Sequence, residues 1–384
     1  MTDASPERRR RGGFGRALFW LAELPLLAAV AVGLAAAYLP PGPFWWAQIV
    51  AVGLPYAAWA LAAWTVVPLV AGRRRVVALH AALLGLVAWR AGLPSDPAPP
   101  AELARDDVFS VMTFNIPIFG PSREVLDDSV SAFVQRTEPD LLGFQDAWVV
   151  FESEATPAER AVQVRVVEDE LPYRLAQPPP AAADAERGGT PVPILARQGV
   201  TVTSHAPVDL EAALPPRVTS ATRSVVEWQG RPFALYNVHL RSFGRDQPWR
   251  NDTLRAAPWR ERLAPAVWRH YSGIYRDVYP ARAAESEALA RVVAADSLPA
   301  VVMGDLNSAP DNWSARVLRT AGARRTDAQR AAGAGWGRTY PASRPLVRID
   351  VVYADPAFEV LAARAVGVGF SDHRPVQAWL RWRD

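Results

Sequence analysis

Apolar residues fill most of the first hundred positions, in three long runs separated by short polar stretches. The runs cover residues 17–39, 44–70 and 76 to about 93. A helix needs about 20 apolar residues to cross the hydrocarbon core of a bilayer. The first two runs reach that length, whereas His80 and Arg90 make the third marginal. The pattern predicts a basic head over residues 1–16, followed by three transmembrane helices over residues 17–93.

Basic clusters near these runs predict how the chain is oriented in a membrane. Arginines occupy positions 8–11 and 73–75, whereas the turn at 40–43 is uncharged. Because basic loops remain on the cytoplasmic side, both clusters and the head are expected in the cytoplasm. Three spans then place everything after residue 93 on the extracytoplasmic face, so the chain is predicted to be a multi-pass cell-membrane protein. If the third run does not insert, the C-terminal part is cytoplasmic.

Two ionisable side chains interrupt the apolar runs. Glu23 lies near the start of the first run and is expected at the membrane interface close to Arg16, rather than in a buried functional position. His80 lies in the third run and is expected to pack between helices rather than to bind a ligand.

The sequence changes character after residue 93. A stiff, proline-rich linker at 94–106 precedes short apolar runs that alternate with amphipathic segments. Strands are predicted at 108–115, 141–145, 199–204, 223–228, 233–240, 300–303, 348–354 and 376–382. Helices are predicted at 123–136, 158–170 and 282–295. The alternation of strands and helices predicts one α/β (α+β) domain over residues 107–384.

Composition narrows the chemistry open to this domain. The 384 residues carry 42 basic and 39 acidic side chains, with a net charge of +3. No lysine occurs, so every fixed positive side chain is an arginine, which binds phosphate in a bidentate fork. The absence of cysteine excludes disulfides, thiolate nucleophiles and zinc–thiolate sites.

Polar side chains recur where the predicted strands end. They are Asn115, Asp146, His239, Asp305, Asn307, Asp350, Asp372 and His373. Carboxylates, amides and imidazoles in such positions are the parts of a site that binds a hard divalent cation and cleaves a phosphate ester. Neither a GxSxG elbow nor a Walker lysine is present. The sequence therefore favours metal-assisted hydrolysis over serine-nucleophile chemistry.

The sharpest chemical signal is the Asp372–His373 pair before the last predicted strand, and the stretch from Gly304 to Asn307 has a moderately specific pattern. In an extended chain Asp305 and Asn307 point the same way, while the residue between them points to the core. Gly304 allows another chain segment or a ligand to approach closely. Further along the chain, a buried Asp350 is expected to fix the tautomer of His373 and to stabilise its charged form.

In order and spacing, these positions resemble the motifs of the endonuclease/exonuclease/phosphatase superfamily, which includes DNase I-like nucleases. The matching segments are TFN at 113–115, FQD at 144–146, NVHL at 237–240, GDLN at 304–307, RID at 348–350 and SDHRPV at 371–376. The resemblance extends over residues 108–380. It implies a four-layer αββα sandwich of the DNase I-like type, a site at the top of two packed sheets, and Mg²⁺ or Mn²⁺ as cofactor.

The resemblance also implies a role for each residue. The implied metal ligands are Asn115, Asp146 and Asp372. The implied contacts to the scissile phosphate are Asn115, His239 and Asn307. The implied catalytic residues are His239, Asp305, Asn307, Asp350, Asp372 and His373. Within the last set, Asp305 and Asn307 position or activate the water, and Asp350 orients His373.

Asp146 departs from the family pattern, which usually has glutamate at this position. Aspartate is one methylene shorter, so the metal is expected to lie deeper, to bind more weakly or to be contacted through a water. Glu152 or Glu154 is the alternative ligand.

These features predict a membrane-anchored, divalent-metal-dependent phosphoesterase that hydrolyses a phosphodiester by in-line attack of water. Its expected partners are the lipid bilayer and a nucleic-acid or phospholipid substrate. The segment at 241–280 is rich in arginine and aromatic residues, which suits a nucleic acid, a membrane interface or packing on the sandwich. The alternative is a membrane-anchored binding or scaffold protein with a weak or inactive site, which only Asp146 favours.

Overall fold

A computed structural model divides the chain into two compact units. One unit comprises residues 1–92 with 311–313, and the other comprises 93–310 with 314–384. The structure describes residues 6–91, 98–116, 123–147, 149–150, 159–160, 162–176, 189–190, 192–208, 220–244, 247–248, 250–333 and 335–383. Glu152 and Glu154, the alternative metal ligands, lie outside the described residues.

Helices build the N-terminal unit. They are α1 (Pro6–Ala35), α2 (Pro41–Val52), α3 (Leu54–Trp64), α4 (Val66–Val70) and α5 (Arg74–Ala91), with a 3₁₀ turn at Ala36–Tyr38. The stretch Gly15–Tyr38 is long and apolar enough to cross a membrane. The helical stretches Pro41–Val52 and Leu54–Val70 reach that length only together, and they are bent by 58° at their junction. The described residues thus hold one or two candidate spans, and the third span stays a prediction.

Glu23 is buried among the helices of this unit, and its expected position at the membrane interface near Arg16 stays a prediction. Its carboxylate is fully buried, and Oε1 lies 2.6 Å from Nε2 of His80. The other oxygen, Oε2, accepts a hydrogen bond from the indole of Trp64 at 2.8 Å. These contacts join α1, α3 and α5, so His80 does pack between helices, as the sequence predicted. A polar pair costs least in an apolar surrounding when both partners are satisfied in this way.

Two mixed sheets form the centre of the C-terminal unit. Its strands in chain order are β1 (Val108–Asn115), β2 (Leu141–Gln145), β3 (Val149–Val150), β4 (Glu159–Arg160), β5 (Tyr173–Leu175), β6 (Gly189–Thr190), β7 (Ile194–Arg197), β8 (Thr201–Pro207), β9 (Ser220–Trp228), β10 (Arg231–His239), β11 (Ala300–Asp305), β12 (Thr326–Asp327), β13 (Asp350–Ala354), β14 (Phe358–Ala365) and β15 (Val376–Trp382). In the described part of the chain, the first sheet has the order β14-β15-β1-β2-β7-β5. The second has the order β12-β13-β11-β10-β9-β8, and β4-β3-β6 form a small third sheet.

The described residues of this part of the chain also form helices. They are α6 (Pro100–Leu103), α7 (Arg123–Thr137), α8 (Val162–Glu170), α9 (Asp252–Ala256), α10 (Trp259–Arg262), α11 (Pro265–Ala295), α12 (Trp313–Arg319) and α13 (Ala328–Ala332). Helices α7, α8, α11 and α12 cover the outer faces of the paired sheets, whereas Ala328 of α13 packs in the core between the sheets. Phe133 of α7 and Val167 of α8 pack on the first sheet. Leu289 of α11 and Leu318 of α12 pack on the second sheet.

The main core lies between the two sheets. Phe109 of β1 stacks on Phe233 of β10 with ring centroids 5.1 Å apart, and Phe358 of β14 packs edge-on against both rings. All three side chains are fully buried. Helix, sheet, sheet and helix therefore form the four-layer αββα sandwich, which confirms the fold expected from the sequence.

A buried ion pair joins β12 to the loop before β13. Arg348 donates from both terminal nitrogens to the carboxylate of Asp327, each at 2.7 Å. Burial alone raises the pKa of Asp327, but the Arg348 charge outweighs it and the pKa is lowered. The ionised carboxylate therefore stabilises the fold above its unfolded pKa of about 4, and this contribution is lost as the pH falls further.

Replacing Asp327 with asparagine is expected to lower the free energy of unfolding by about 3–5 kcal/mol at neutral pH, because the Arg348 charge stays buried without its partner. Urea unfolding followed by near-UV circular dichroism measures the change. The matched control is Asp252→Asn, which breaks an exposed pair with Arg255 and is expected to change little. Equal effects of the two variants would contradict the prediction, as would a loss for Asp327→Asn that does not shrink in acid.

Candidate active site

The ends of the central strands carry the residues predicted from the sequence. In the first sheet β1 ends at Asn115, and Asp146 follows β2; in the second sheet β10 ends at His239 and β11 at Asp305. Strands β1 and β2 are parallel, as are β10 and β11, so the carboxyl ends of each pair lie together. Strand β13 runs antiparallel to β11 and begins at Asp350, directly opposite Asp305. The topology therefore gathers these side chains at one edge.

Three polar pairs connect the two sheets at this edge. They are Asn115 Nδ2 with Asp305 Oδ2 at 2.9 Å, His239 Nδ1 with Asp146 Oδ1 at 3.4 Å, and His373 Nδ1 with Asp350 Oδ2 at 3.0 Å. In each pair one partner belongs to the first sheet or its connecting loops, and the other belongs to the second sheet. We refer to these six residues as the cross-sheet pairs.

Asp305 lies at the centre of the cross-sheet pairs. Its Oδ2 lies 3.7 Å from Nε2 of His239 and 3.8 Å from Nδ1 of His373. Its Oδ1 accepts a hydrogen bond from the backbone amide of Asn307 at 2.7 Å. Only 1% of the Asp305 residue is exposed, so its carboxylate is held in one orientation by the groups around it.

Two neighbours, Asp350 and Tyr340, position His373. Asp350 contacts Nδ1 with both carboxylate oxygens, at 3.0 and 3.2 Å, and the ring of Tyr340 packs on the imidazole at a centroid distance of 4.9 Å. Burial lowers the pKa of His373, but the carboxylates of Asp350 and Asp305 outweigh it and raise that pKa to about 9. Burial also raises the pKa of Asp350. With Nδ1 bound to Asp350, the proton available for chemistry lies on Nε2.

Replacing Asp350 with asparagine is expected to lower the pKa of His373 by about one unit or more, because a paired charge is lost while burial remains. Titration of ¹⁵N-labelled histidine by NMR, in chelator-treated protein, measures the shift. The internal control is His205, whose pKa burial lowers to about 4. In the parent protein, protonation of His373 stabilises the fold below about pH 6.5, and this contribution is lost as the pH rises to about 9. An unchanged His373 titration would contradict the prediction.

Asp146 lies on the opposite side of His239 from Asp305. Its backbone has a φ of 59°, the left-handed conformation that aspartate tolerates better than most side chains. Burial raises the pKa of the Asp146 carboxyl, His239 lowers it, and the Asp305 charge raises it further. Two carboxylates thus flank one imidazole, and a divalent cation would relieve the repulsion between them.

Asn307 also adopts a left-handed backbone, with a φ of 47°. Its side-chain amide donates to the carbonyl of Leu240 at 2.9 Å, beside the end of β10. The fully buried Arg282, on α11, donates hydrogen bonds to the backbone carbonyls of Asn307 and Arg241. The turn that carries Asn307 is therefore held by hydrogen bonds on both sides.

Asp372 lies at the rim and not among the buried groups. Its carboxylate accepts a hydrogen bond from Arg250 at 2.7 Å, and both side chains are about two-fifths exposed. Arg250 also donates to the hydroxyl of Tyr340, the residue that packs on His373. The hydrogen bond occupies Oδ2 of Asp372, so Arg250 competes with a cation for that oxygen.

The buried donor set fits a hard divalent cation. Asp305, Asp350 and His373 offer ligand atoms that all lie within 4.8 Å of one another. Because Asp350 already holds His373, the carboxylates left for a cation are those of Asp305 and Asp146, with the amide oxygen of Asn115 nearby. Carboxylate and amide oxygens are the donors that Mg²⁺ and Mn²⁺ prefer.

Sequence reasoning missed three residues of the site. They are Arg250, which in the sequence is one of many arginines in the segment at 241–280, together with Tyr340 and Arg282. Tyr340 lies in an irregular stretch without strand periodicity, and Arg282 looks like one more arginine on a helix. Their contacts depend on tertiary folding, so no local pattern identified them.

Comparisons with known proteins agree with this fold. Residues 112–373 match the model of the Endonuclease/Exonuclease/phosphatase family. A solved endonuclease/exonuclease/phosphatase from Bacteroides vulgatus is similar in fold, with 18% identity, a TM-score of 0.51, and coverage of 72% of this chain and 99% of that one. No curated protein matches the sequence.

Two other solved structures are also similar. One is a mannosyl-6-phosphatase from Bacteroides thetaiotaomicron, with 16% identity, a TM-score of 0.47, and coverage of 71% of this chain and 100% of that one. The other is the human Nocturnin catalytic domain with a bound sulfate anion, with 16% identity, a TM-score of 0.47, and coverage of 72% and 95%.

The family match covers most of the C-terminal unit and contains all of the cross-sheet pairs. It ends at His373, the last of the predicted site residues. The chain therefore belongs to the endonuclease/exonuclease/phosphatase family and is a hydrolase of the phosphoesterase type.

Proposed function

We propose that this protein is a membrane-anchored phosphodiesterase that depends on Mg²⁺ or Mn²⁺ and acts through the cross-sheet pairs. The observation that carries the proposal is the position of Asp305, which is buried and faces Asn115, His239 and His373 at hydrogen-bonding or ion-pair distance. A fold does not need buried carboxylates and imidazoles that converge in this way, because such groups are costly to bury.

Reaction begins with in-line attack of water on phosphorus. When bound, Mg²⁺ or Mn²⁺ would neutralise charge on the phosphoryl and leaving oxygens. Asp305 is fixed by Asn115 and by the amide of Asn307, so its carboxylate is oriented to position the water and accept its proton. His373 has a pKa of about 9 and carries a proton at neutral pH, so it donates a hydrogen bond to a phosphoryl oxygen.

The remaining residues divide between cation and substrate. Asn115 and Asp146 would supply oxygens to the cation, with Asp305 facing it from the second sheet, and Asp372 would join them if Arg250 moves to the substrate phosphate. His239 and Asn307, together with Asn115, contact the scissile phosphate. Arg250 would then exchange its carboxylate partner, Asp372, for a phosphate. A guanidinium can bind both groups in a bidentate manner.

Membrane anchoring is the second part of the proposal. The stretch Gly15–Tyr38 supports it, because its length and apolar composition are sufficient to cross a membrane. A signal sequence can meet the same two criteria, so the test of anchoring is membrane retention of the mature protein. We propose a multi-pass chain with the catalytic domain on the extracytoplasmic face, on the strength of the arginine clusters at 8–11 and 73–75. The substrate is then a nucleic acid or a phospholipid head group that reaches that face.

Hydrolysis of bis-p-nitrophenyl phosphate by the full chain tests the activity. Turnover is expected with Mg²⁺ or Mn²⁺, to be lost in EDTA, and to be lost in His373→Ala but not in the exposed control His270→Ala. A panel of plasmid DNA, RNA, sphingomyelin and inositol phosphates then identifies the substrate class. Absence of turnover on every substrate, with or without metal, would favour the binding or scaffold protein instead.

A further inference from the structure

An exposed surface of tryptophan and arginine lies on the segment between β10 and β11. Three large apolar side chains within ten residues are open to solvent: 66% of Trp259, 61% of Leu263 and 48% of Trp268 are exposed. Arg260, Arg262 and Arg269 lie beside them in the sequence and are also exposed. We call these six residues the tryptophan–arginine surface. Isolated apolar residues on a protein surface need no explanation, but three exposed large ones within ten residues of sequence favour an interaction site.

The residues on either side of the tryptophan–arginine surface are hydrogen-bonded or buried. Asn251 caps α9 by accepting a hydrogen bond from the amide of Leu254 at 2.9 Å. From Tyr271 onward α11 packs on the sandwich, and Tyr271 and Tyr279 are almost fully buried. Packing on the sandwich, one of the three interpretations of this segment, therefore holds for the tyrosines. It does not hold for the two tryptophans, which the same base leaves exposed.

The charge of the segment that carries this surface favours an anionic partner. Residues 250–276 contain six arginines and two carboxylates, so the segment is basic. The guanidinium of Arg260 lies 5.5 Å from the centroid of the Trp259 ring. Tryptophan and leucine beside arginine combine apolar area with long basic side chains, which is the composition of helices that lie in a membrane interface.

We propose that the tryptophan–arginine surface binds the head-group region of an anionic lipid bilayer. Trp259, Leu263 and Trp268 enter the interface, while the neighbouring arginines pair with lipid phosphates. This chain also carries the apolar stretch Gly15–Tyr38, which is long enough to cross a bilayer. A nucleic acid would use the arginines and the tryptophans, but it offers no apolar surface for Leu263. The proposal is independent of catalysis.

The natural absence of cysteine makes a direct test possible. Leu263→Cys in the full chain carries a nitroxide label, and the protein is placed in nanodiscs of phosphatidylcholine with or without phosphatidylglycerol. The matched control is Leu346→Cys, which is similarly exposed and lies outside the tryptophan–arginine surface. Electron paramagnetic resonance compares collisions of the label with apolar oxygen and with a water-soluble nickel chelate.

With phosphatidylglycerol, the label at position 263 is expected to collide mainly with oxygen, whereas the label at 346 collides mainly with the chelate. Arg260→Gln combined with Arg262→Gln is expected to lower the ratio of lipid-inserted to aqueous label at position 263 about fivefold for each arginine removed. Three results would overturn the proposal: a label at 263 that stays aqueous in both lipids, spin–spin broadening that reveals contact with a second copy, or burial of the label only by single-stranded DNA.

Discussion

Asp305→Asn is expected to lower kcat on bis-p-nitrophenyl phosphate by about a thousandfold, with the fold retained. Asparagine has the same shape, and its oxygen still accepts the hydrogen bond from the Asn115 amide. Two things are lost: the hydrogen bond that Oδ1 accepts from the Asn307 amide, and the negative charge that faces His239 and His373. With the charge goes the group proposed to accept the proton from water. The change therefore removes chemistry while leaving the packing of the two sheets in place.

Steady-state kinetics at saturating Mg²⁺ measure the effect, and near-UV circular dichroism checks the fold. Asp277→Asn is the matched control, because 78% of that side chain is exposed and it lies on α11 away from the cross-sheet pairs. It should leave kcat unchanged. Retention of more than about a tenth of the activity in Asp305→Asn would remove Asp305 from the proposed mechanism.

A methyl group at Gly304 is expected to destabilise the C-terminal unit by about 3 kcal/mol or more. Gly304 has a φ of +147°, and a Cβ added there would lie 1.9 Å from the backbone oxygen of Val238 on β10. That neighbour is backbone and cannot rotate away, so the pairing of β10 with β11 would have to change. Both His239 and Asp305 are displaced if it does, because each follows directly in its strand.

Thermal unfolding of Gly304→Ala is the measurement, with Gly273→Ala as the control. Gly273 lies inside α11 with nothing within 4 Å of an added Cβ, so alanine there is expected to be neutral or slightly stabilising. A melting temperature for Gly304→Ala equal to that of the parent protein would show that the close approach of β10 and β11 does not matter.

The strands that carry the site were predictable because their composition and their burial agree. Strands β1, β2 and β15 begin and end where the apolar runs do. Their residues are almost all buried, so a continuous apolar run marks each one. The alternation at Asp305 and Asn307 was equally informative, and Gly304 does allow another segment, β10, to approach closely.

Other elements were not predictable from local sequence. Strand β14 contains the alanine-rich stretch LAARA, whose residues prefer helices, yet pairing with β15 makes it an edge strand. Helix α11 begins at Pro265, whereas the predicted helix begins at residue 282. The helix continues through Pro280, a residue type that usually ends or kinks a helix. At both places tertiary packing outweighs the local preference.

Within the site, the residues were predictable but their partners were not. Pairing of Asp350 with His373 follows from the expected need to orient an imidazole, and the structure contains it. The salt bridge of Asp372 with Arg250 joins two residues that are 122 positions apart in the sequence. Such a contact leaves no periodic pattern in the sequence. The roles of the individual residues remain predictions.

The cross-sheet pairs have one consequence for how ion binding can be observed. Their members come from both sheets, so an ion that contacts Asp146 and Asp305 would link the two sheets. A bound ion then raises the free energy of unfolding by about 2.7 kcal/mol when the ion concentration is one hundred times its dissociation constant. A melting curve recorded with each candidate cation thus ranks the ions before any substrate is known.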